Sequence, residues 1–153
     1  MKYVLDTNAV SAAMYNEPHI WKQLTARSAG DILIPQPVLA EIAYGLARLP
    51  ESARRTRLTH RFRVLADSQP RAVWTDDVSG IFGRIKADLA RRGILLEDFD
   101  TAIAAHALAL DGVLVTGNTR HFERIPGLRL EDWGRAPEAR DGASKPSSTP
   151  DGG

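Results

Sequence analysis

Short apolar runs that alternate with helix-patterned stretches constrain this chain more than any other feature. Residues 3–5, 32–34 and 113–115 are brief, apolar and rich in β-branched side chains, which suits strands buried in a sheet. Residues 73–74 and 128–130 are weaker strand candidates. Between these runs the apolar period lengthens to that of a helix. Val10, Ala13 and Met14 follow the first run, residues 20–27 suit a second helix, and a third starts at Val38, carries Glu41 and ends before Leu49 and Pro50. Pro35 and Pro37 stop the strand before it. Residues 51–66 predict a helix with Leu58, Phe62 and Leu65 on one face. The stripe Val78, Ile81, Phe82, Ile85 and Leu89 predicts another, capped by Asp76 or Asp77 and stopped by Gly93. An alanine-rich helix over residues 101–110, with Asp100 at its start, has side chains small enough to pack close to a sheet. Strands alternating with helices predict an α/β sandwich around a mainly parallel sheet.

The chain has 153 residues, enough for one domain with a real core. Hydrophobic residues make up 43% and charged ones 25%, ordinary for a globular protein. No apolar run reaches the ~18 residues of a membrane span. The early apolar stretch is cut by Asp6, so no signal peptide is expected and a cytoplasmic location fits. Absence of cysteine excludes disulfide scaffolds, thiolate zinc sites and cysteine nucleophiles. After Trp133 the sequence turns to Pro, Ser, Gly, Ala and charges. Residues 1–133 are therefore expected to be the folded domain and 134–153 a disordered tail.

Parallel α/β sheets place their sites at the carboxyl ends of strands, and Asp6 and Asn118 both follow strands closely. Asp6, Glu41 and Asp100 sit at the ends of apolar runs or among apolar neighbours, where a purely structural carboxylate is harder to explain. Brought together they would repel and raise one another's pKa unless a cation intervened. An all-oxygen donor set suits Mg²⁺ or Mn²⁺, which polarises a phosphodiester and activates water. Each acid alone also has a plain reading: Asp6 as a turn or cap, Glu41 as an exposed helix residue, Asp100 as an N-cap. No spacing rule joins the three.

The segment Val4, Leu5, Asp6, Thr7, Asn8 resembles the opening motif of PIN-domain proteins, particularly toxins of the VapC type. Three more segments are similar to that family in the same order: residues 37–45 (PVLAEIAYG), 100–107 (DTAIAAHA) and 115–122 (VTGNTRHF), continuing through IPGL and EDW to Trp133. The resemblance implies a PIN-like three-layer α/β fold with a mostly parallel sheet. It also implies a Mg²⁺-dependent endoribonuclease, Mn²⁺ being a possible substitute, that leaves 5′-phosphate and 3′-hydroxyl ends. Such a protein is the toxin of a type II toxin–antitoxin pair, held by a cognate VapB-type antitoxin, with RNA as substrate, tRNA being a candidate, and a homodimer as its form. The N-terminal helices and the helix over residues 78–89 are candidate dimer surfaces.

Carried over, Asp6, Glu41 and Asp100 take the places of the catalytic, metal-binding acids, Thr7 and Asn8 support Asp6, and Thr116 and Asn118 stand near the metal. Asp98 is a decoy two residues before the family position. Many members have a fourth acid in the last motif; here Asn118 and His121 stand there, with Glu123 just beyond. One well-held metal is therefore expected, and a catalytically weak or inactive PIN domain that binds RNA or protein remains the alternative. A nuclease of the same fold that cuts DNA also stays open.

Arg54, Arg55 and Arg61 are candidates to meet RNA phosphates or an acidic antitoxin segment, against the plainer reading of a solvated helix face. His106 is expected to be structural, and His19, His60 and His121 lack zinc-ligand spacing. Trp21, Trp74 and Trp133 are expected to pack.

Overall fold

The structure is a computed structural model that describes residues 1–135. The expected disordered tail falls almost wholly outside these residues. Five strands form one sheet: β1 (Tyr3–Leu5), β2 (Ile32–Pro35), β3 (Arg71–Ala72), β4 (Val113–Val115) and β5 (Arg129–Glu131). Their order is β3-β2-β1-β4-β5 and every pairing is parallel. The chain runs outward from β1 on one side and then crosses back to place β4 on the other. The gap beyond the carboxyl ends of β1 and β4 is thus the switch point at which parallel sheets open a crevice.

Among the described residues, seven α-helices connect and flank the sheet: α1 (Thr7–Met14), α2 (Pro18–Thr25), α3 (Gln36–Ala47), α4 (Ala53–Ser68), α5 (Asp76–Arg91), α6 (Asp98–Ala109) and α7 (Thr119–Phe122). Val4, Leu5, Ile32, Ile34 and Leu114 are wholly buried, as strands covered on both faces require. The alanines of α6 do what their size allows: Ala102, Ala104, Ala105 and Ala107 are buried in close packing with Ile103 among them. Gly112 feeds β4 past the start of β1, where a Cβ would lie 2.8 Å from the Lys2 carbonyl oxygen, so no larger residue fits.

Several boundaries differ from expectation for local physical reasons. The third strand is Arg71–Ala72, while Val73 and Trp74 are exposed just beyond it. Thr75, not an aspartate, caps α5 through a 3.3 Å bond from the Val78 amide. Asp76 and Asp77 instead occupy its first turn, where they offset the helix dipole. Helix α6 begins at Asp98, two residues before Asp100, and α2 begins at Pro18, suited to a first turn by its fixed φ. Pro35 ends β2 and Pro37 lies in the first turn of α3, so the two prolines mark the junction between strand and helix. Gly93 takes φ +67° immediately after α5, as a helix-terminating glycine should. Helix α4 spans Ala53–Ser68 and β5 Arg129–Glu131, each displaced by one or two residues from the pattern-based bounds.

Candidate functional site at the β1–β4 switch point

Asp6 follows β1 directly and is only 4% exposed. Its backbone continues the ladder, its amide donating to the Val115 carbonyl at 3.0 Å. The side chain caps α1, with Oδ1 accepting from the Ala9 amide at 2.8 Å. One residue thus ends a strand, starts a helix and places a carboxylate in the crevice. Burial pushes the Asp6 carboxyl up from 3.8 to about 6. The Thr116 hydroxyl and the Ala9 amide oppose that rise, while Asp100 and Glu41 add to it by like-charge repulsion.

Thr116 follows β4 and is 1% exposed. Its amide extends the sheet to the Glu131 carbonyl at 3.0 Å, and its Oγ1 accepts from the Asn118 amide at 3.0 Å. That leaves the hydroxyl hydrogen for Asp6. Glu41, one turn into α3, accepts a 2.7 Å hydrogen bond at Oε1 from the Thr7 hydroxyl. Asp100, in the first turn of α6, meets His121 of α7, with Oδ2 and Nε2 3.0 Å apart.

The three acids therefore come from three helix starts or turns around one strand edge, although 94 residues separate Asp6 from Asp100 in the chain. They are gathered but not closed upon one another. Among the described residues no three acidic or histidine side chains converge tightly enough to enclose an ion as they stand. Glu41 is turned toward Thr7 and Asp100 toward His121. A groove of about 320 Å³ opens beside Glu41, lined by Thr7, Ser11, Met14, Tyr15, Leu46 and Leu58 among others.

The expected supporting residues divide. Thr7 reaches Glu41 rather than Asp6, and Asn8 is exposed, with no side-chain hydrogen bond among the described residues. Asn118 is exposed and engages Thr116 through its backbone amide, not its side chain. Glu123 is exposed at the end of α7. Asp98 points to Lys86, 2.9 Å away, on an open surface. His121, which lacked zinc-ligand spacing, is the contact that sequence reasoning missed. The signal for it was its place in the motif where many family members carry a fourth acid, and it is held there by the buried neighbour Phe122.

Each of the three candidate arginines is tied within the chain. Arg54 donates to the Tyr15 hydroxyl at 3.1 Å, Arg61 to the Met14 carbonyl at 3.1 Å and Arg55 to the Leu49 carbonyl at 3.4 Å. Arg61 thereby meets the last carbonyls of α1, a favourable place for a cation. A larger groove of about 540 Å³ runs along α4 beside Arg55, His60 and Arg63, and Asp6, Glu41 and Asp100 are not part of its lining.

The other sequence candidates are structural. His106 is 1% exposed, with Nδ1 2.7 Å from the Ala102 carbonyl oxygen and Nε2 without a partner among the described residues. Burial lowers its pKa, so the ring is held neutral, and Nδ1 donates. Trp133 is buried against Tyr3 with the Arg27 guanidinium over both rings. Trp21 donates to the Ala13 carbonyl, whereas Trp74 is 45% exposed and donates to Ser79.

A family model for the PIN domain matches residues 3–128, nearly the whole described chain. The chain belongs to the PIN-domain family. Within it, this PIN domain is of the VapC type. It is 33% identical to the tRNA(fMet)-specific endonuclease VapC of Salmonella typhimurium over 137 residues, 87% of this chain and 98% of that protein. A protein of the same name from Shigella flexneri is 35% identical over the same shares. Among solved structures, DNA-bound VapBC from Salmonella typhimurium superposes with a TM-score of 0.78 at 32% identity, covering 87% of this chain and 98% of that one. VapBC2 from Rickettsia felis, bound to a promoter DNA fragment, gives 0.76 at 28% identity, covering 87% and 99%. No helix among the described residues is long and apolar enough to cross a membrane.

Proposed function

We propose that this PIN domain is a divalent-metal-dependent endoribonuclease, the toxin of a type II toxin–antitoxin pair, with transfer RNA as its substrate class. The observation that carries the reading is Asp6. A carboxylate 4% exposed, with its pKa raised to about 6 and two further carboxylates adding to the rise, is expensive for the fold. A hard cation bound by oxygen ligands removes that cost, and the donor set of Asp6, Glu41 and Asp100 is of the type Mg²⁺ or Mn²⁺ prefers. The residues therefore fit the ion. When bound, it supplies Lewis-acid polarisation of the phosphodiester and activation of water.

The protein's own part is positional. The Ala9 amide and the Thr116 hydroxyl fix the Asp6 carboxylate, and Thr7 fixes the rotamer of Glu41 before substrate arrives. Such support keeps the carboxylates oriented without reorganisation during the reaction. With Oε1 of Glu41 held by Thr7 and Oδ2 of Asp100 beside His121, each acid keeps its second oxygen free of hydrogen bonds among the described residues. The curated relatives named as ribonucleases or tRNA endonucleases support RNA as substrate, and the VapBC complexes support a VapB-type antitoxin as partner.

The test is incubation of purified protein with total transfer RNA and Mg²⁺ or Mn²⁺. Cleavage that leaves 5′-phosphate ends, stops with EDTA and is absent from Asp6→Ala is expected. Metal-independent cleavage giving 2′,3′-cyclic phosphates would reject the metal mechanism. Binding of RNA with no cleavage under any divalent ion would favour a non-catalytic RNA-binding domain.

A further inference from the structure

Asp100 is held from behind by a contact chain whose residues no functional role yet explains. His121 Nε2 lies 3.0 Å from Asp100 Oδ2. Behind the ring, Arg124 places one guanidinium nitrogen 3.4 Å from His121 Nδ1, while its Nε donates to the His121 carbonyl at 3.2 Å. The same guanidinium reaches the Leu95 carbonyl at 3.5 Å, and the Arg124 carbonyl accepts from Arg92 at 2.8 Å. Because a guanidinium only donates, Nδ1 facing it must be the bare acceptor nitrogen. The hydrogen then resides on Nε2 and points at Asp100.

The floor under this ring is firm. Phe122 and Ile125 are 2% and 3% exposed, and the Phe122 ring meets His121 edge-on at 5.5 Å. The Ile125 amide closes the turn onto the Phe122 carbonyl at 3.1 Å. A four-residue helix anchored by buried Phe122 and followed closely by buried Ile125 cannot easily swing its histidine away. Asp100 Oδ2 is thus occupied, and Oδ1 has no hydrogen bond among the described residues.

We propose that Arg124 and His121 act as a positioning pair: Arg124 sets the His121 tautomer, and His121 turns Asp100 so that it offers a single oxygen to the cation. An acid at position 121 would instead face Asp100 with like charge, so this chain's site is organised around one divalent ion. The proposal rests on the divalent-cation reading of the site and deepens it.

The test combines two readouts that do not depend on RNA cleavage. Nitrogen-15 NMR of His121 in the metal-free protein should show the Nε2–H tautomer, with Arg124→Met giving a mixture. Calorimetric titration with Mg²⁺ should give one saturable equivalent per chain. Affinity should fall about ten-fold or more in His121→Ala, in line with the loss of an outer-shell partner. His121→Gln, whose amide can still donate, should recover most of that loss, and Arg124→Met should lie between. The thermal midpoint of each variant in EDTA should match wild type, which separates positioning from folding. An Nδ1–H tautomer, or unchanged or tighter Mg²⁺ binding in His121→Ala, overturns the pair while leaving the metal reading intact. Two equivalents in wild type overturn the single-ion claim. No saturable binding in wild type removes the metal reading itself, and the pair falls with it.

Discussion

The two halves of the carboxylate site are built differently. On the sheet side, Asp6 and Thr116 lie at the ends of adjacent parallel strands, are 4% and 1% exposed, and are tied into the backbone on both sides. On the helix side, Asp100 and His121 have side chains 28% and 31% exposed and hold each other by one contact. The first half has little freedom and carries an electrostatic cost in the absence of a cation. The second half is less buried, and its acid is oriented by a partner side chain seated on buried Phe122 and Ile125. Backbone ladders and burial fix the first acid, while a side-chain contact from a short anchored helix orients the second.

The sharpest way to break this contrast is Asp6→Asn. Cleavage should be lost entirely, while the metal-free fold becomes more stable. The sign follows from linkage: a folded pKa of about 6 against 3.8 unfolded favours the protonated carboxyl, so its stabilising contribution is full below 3.8 and is lost as pH rises through about 6. At pH 8 the ionised group costs at most about 3 kcal/mol, which the neutral amide avoids. Thermal melts in EDTA should therefore show the variant gaining at pH 8 and converging with wild type near pH 4. An equal gain at both pH values would place the effect elsewhere.

On the helix side, Asp100→Asn should also abolish cleavage. Asp98→Asn should reduce activity only modestly, since its pairing with Lys86 joins side chains 63% and 57% exposed, and such pairs are worth about 1 kcal/mol or less. Equal losses from the two changes would reverse the assignment. Thr7→Val removes the 2.7 Å bond to Glu41 and should lower cleavage about ten-fold with a nearly unchanged melting midpoint. A loss of stability larger than the loss of activity would make Thr7 a structural residue.

The smallest effect concerns His106. Its lowered pKa means the folded state excludes the charged ring, so stability is present above about 6.5 and is lost as pH falls through the depressed value. His106→Gln should flatten the fall in stability that wild type shows as pH drops below 6.5. It should leave cleavage at pH 8 unaltered, since the ring packs edge-on to Trp74 away from the acids. The Asp6 and His106 dependences oppose each other, which is why the double variant is the informative control.

The features legible in the sequence are those set by neighbours in the chain. The Asp6 cap on α1 spans three residues, the buried runs of β1, β2 and β4 carry their own burial signal, and the alanines of α6 announce close packing. Composition patterns misplaced β3, because Val73 and Trp74 have strand-like side chains yet lie exposed past the sheet edge, while Arg71 and Ala72 make the ladder with Ile34 and Pro35. The side chains supporting the carboxylates were less legible still. Thr7 stands beside Asp6 in sequence but bonds Glu41, 34 residues on, and His121 meets Asp100 across 21 residues. Such pairings follow from helix orientation about the sheet, and no local spacing encodes them.

The central claim is that Asp6 is buried in order to meet a divalent cation with Glu41 and Asp100. Its most direct test is a Mg²⁺ titration of thermal stability at pH 8, run on wild type and on Asp6→Asn. Wild type should start lower and rise saturably with Mg²⁺ while the variant starts higher and stays flat. A wild-type midpoint indifferent to Mg²⁺ and Mn²⁺, or a variant that responds equally, would contradict it.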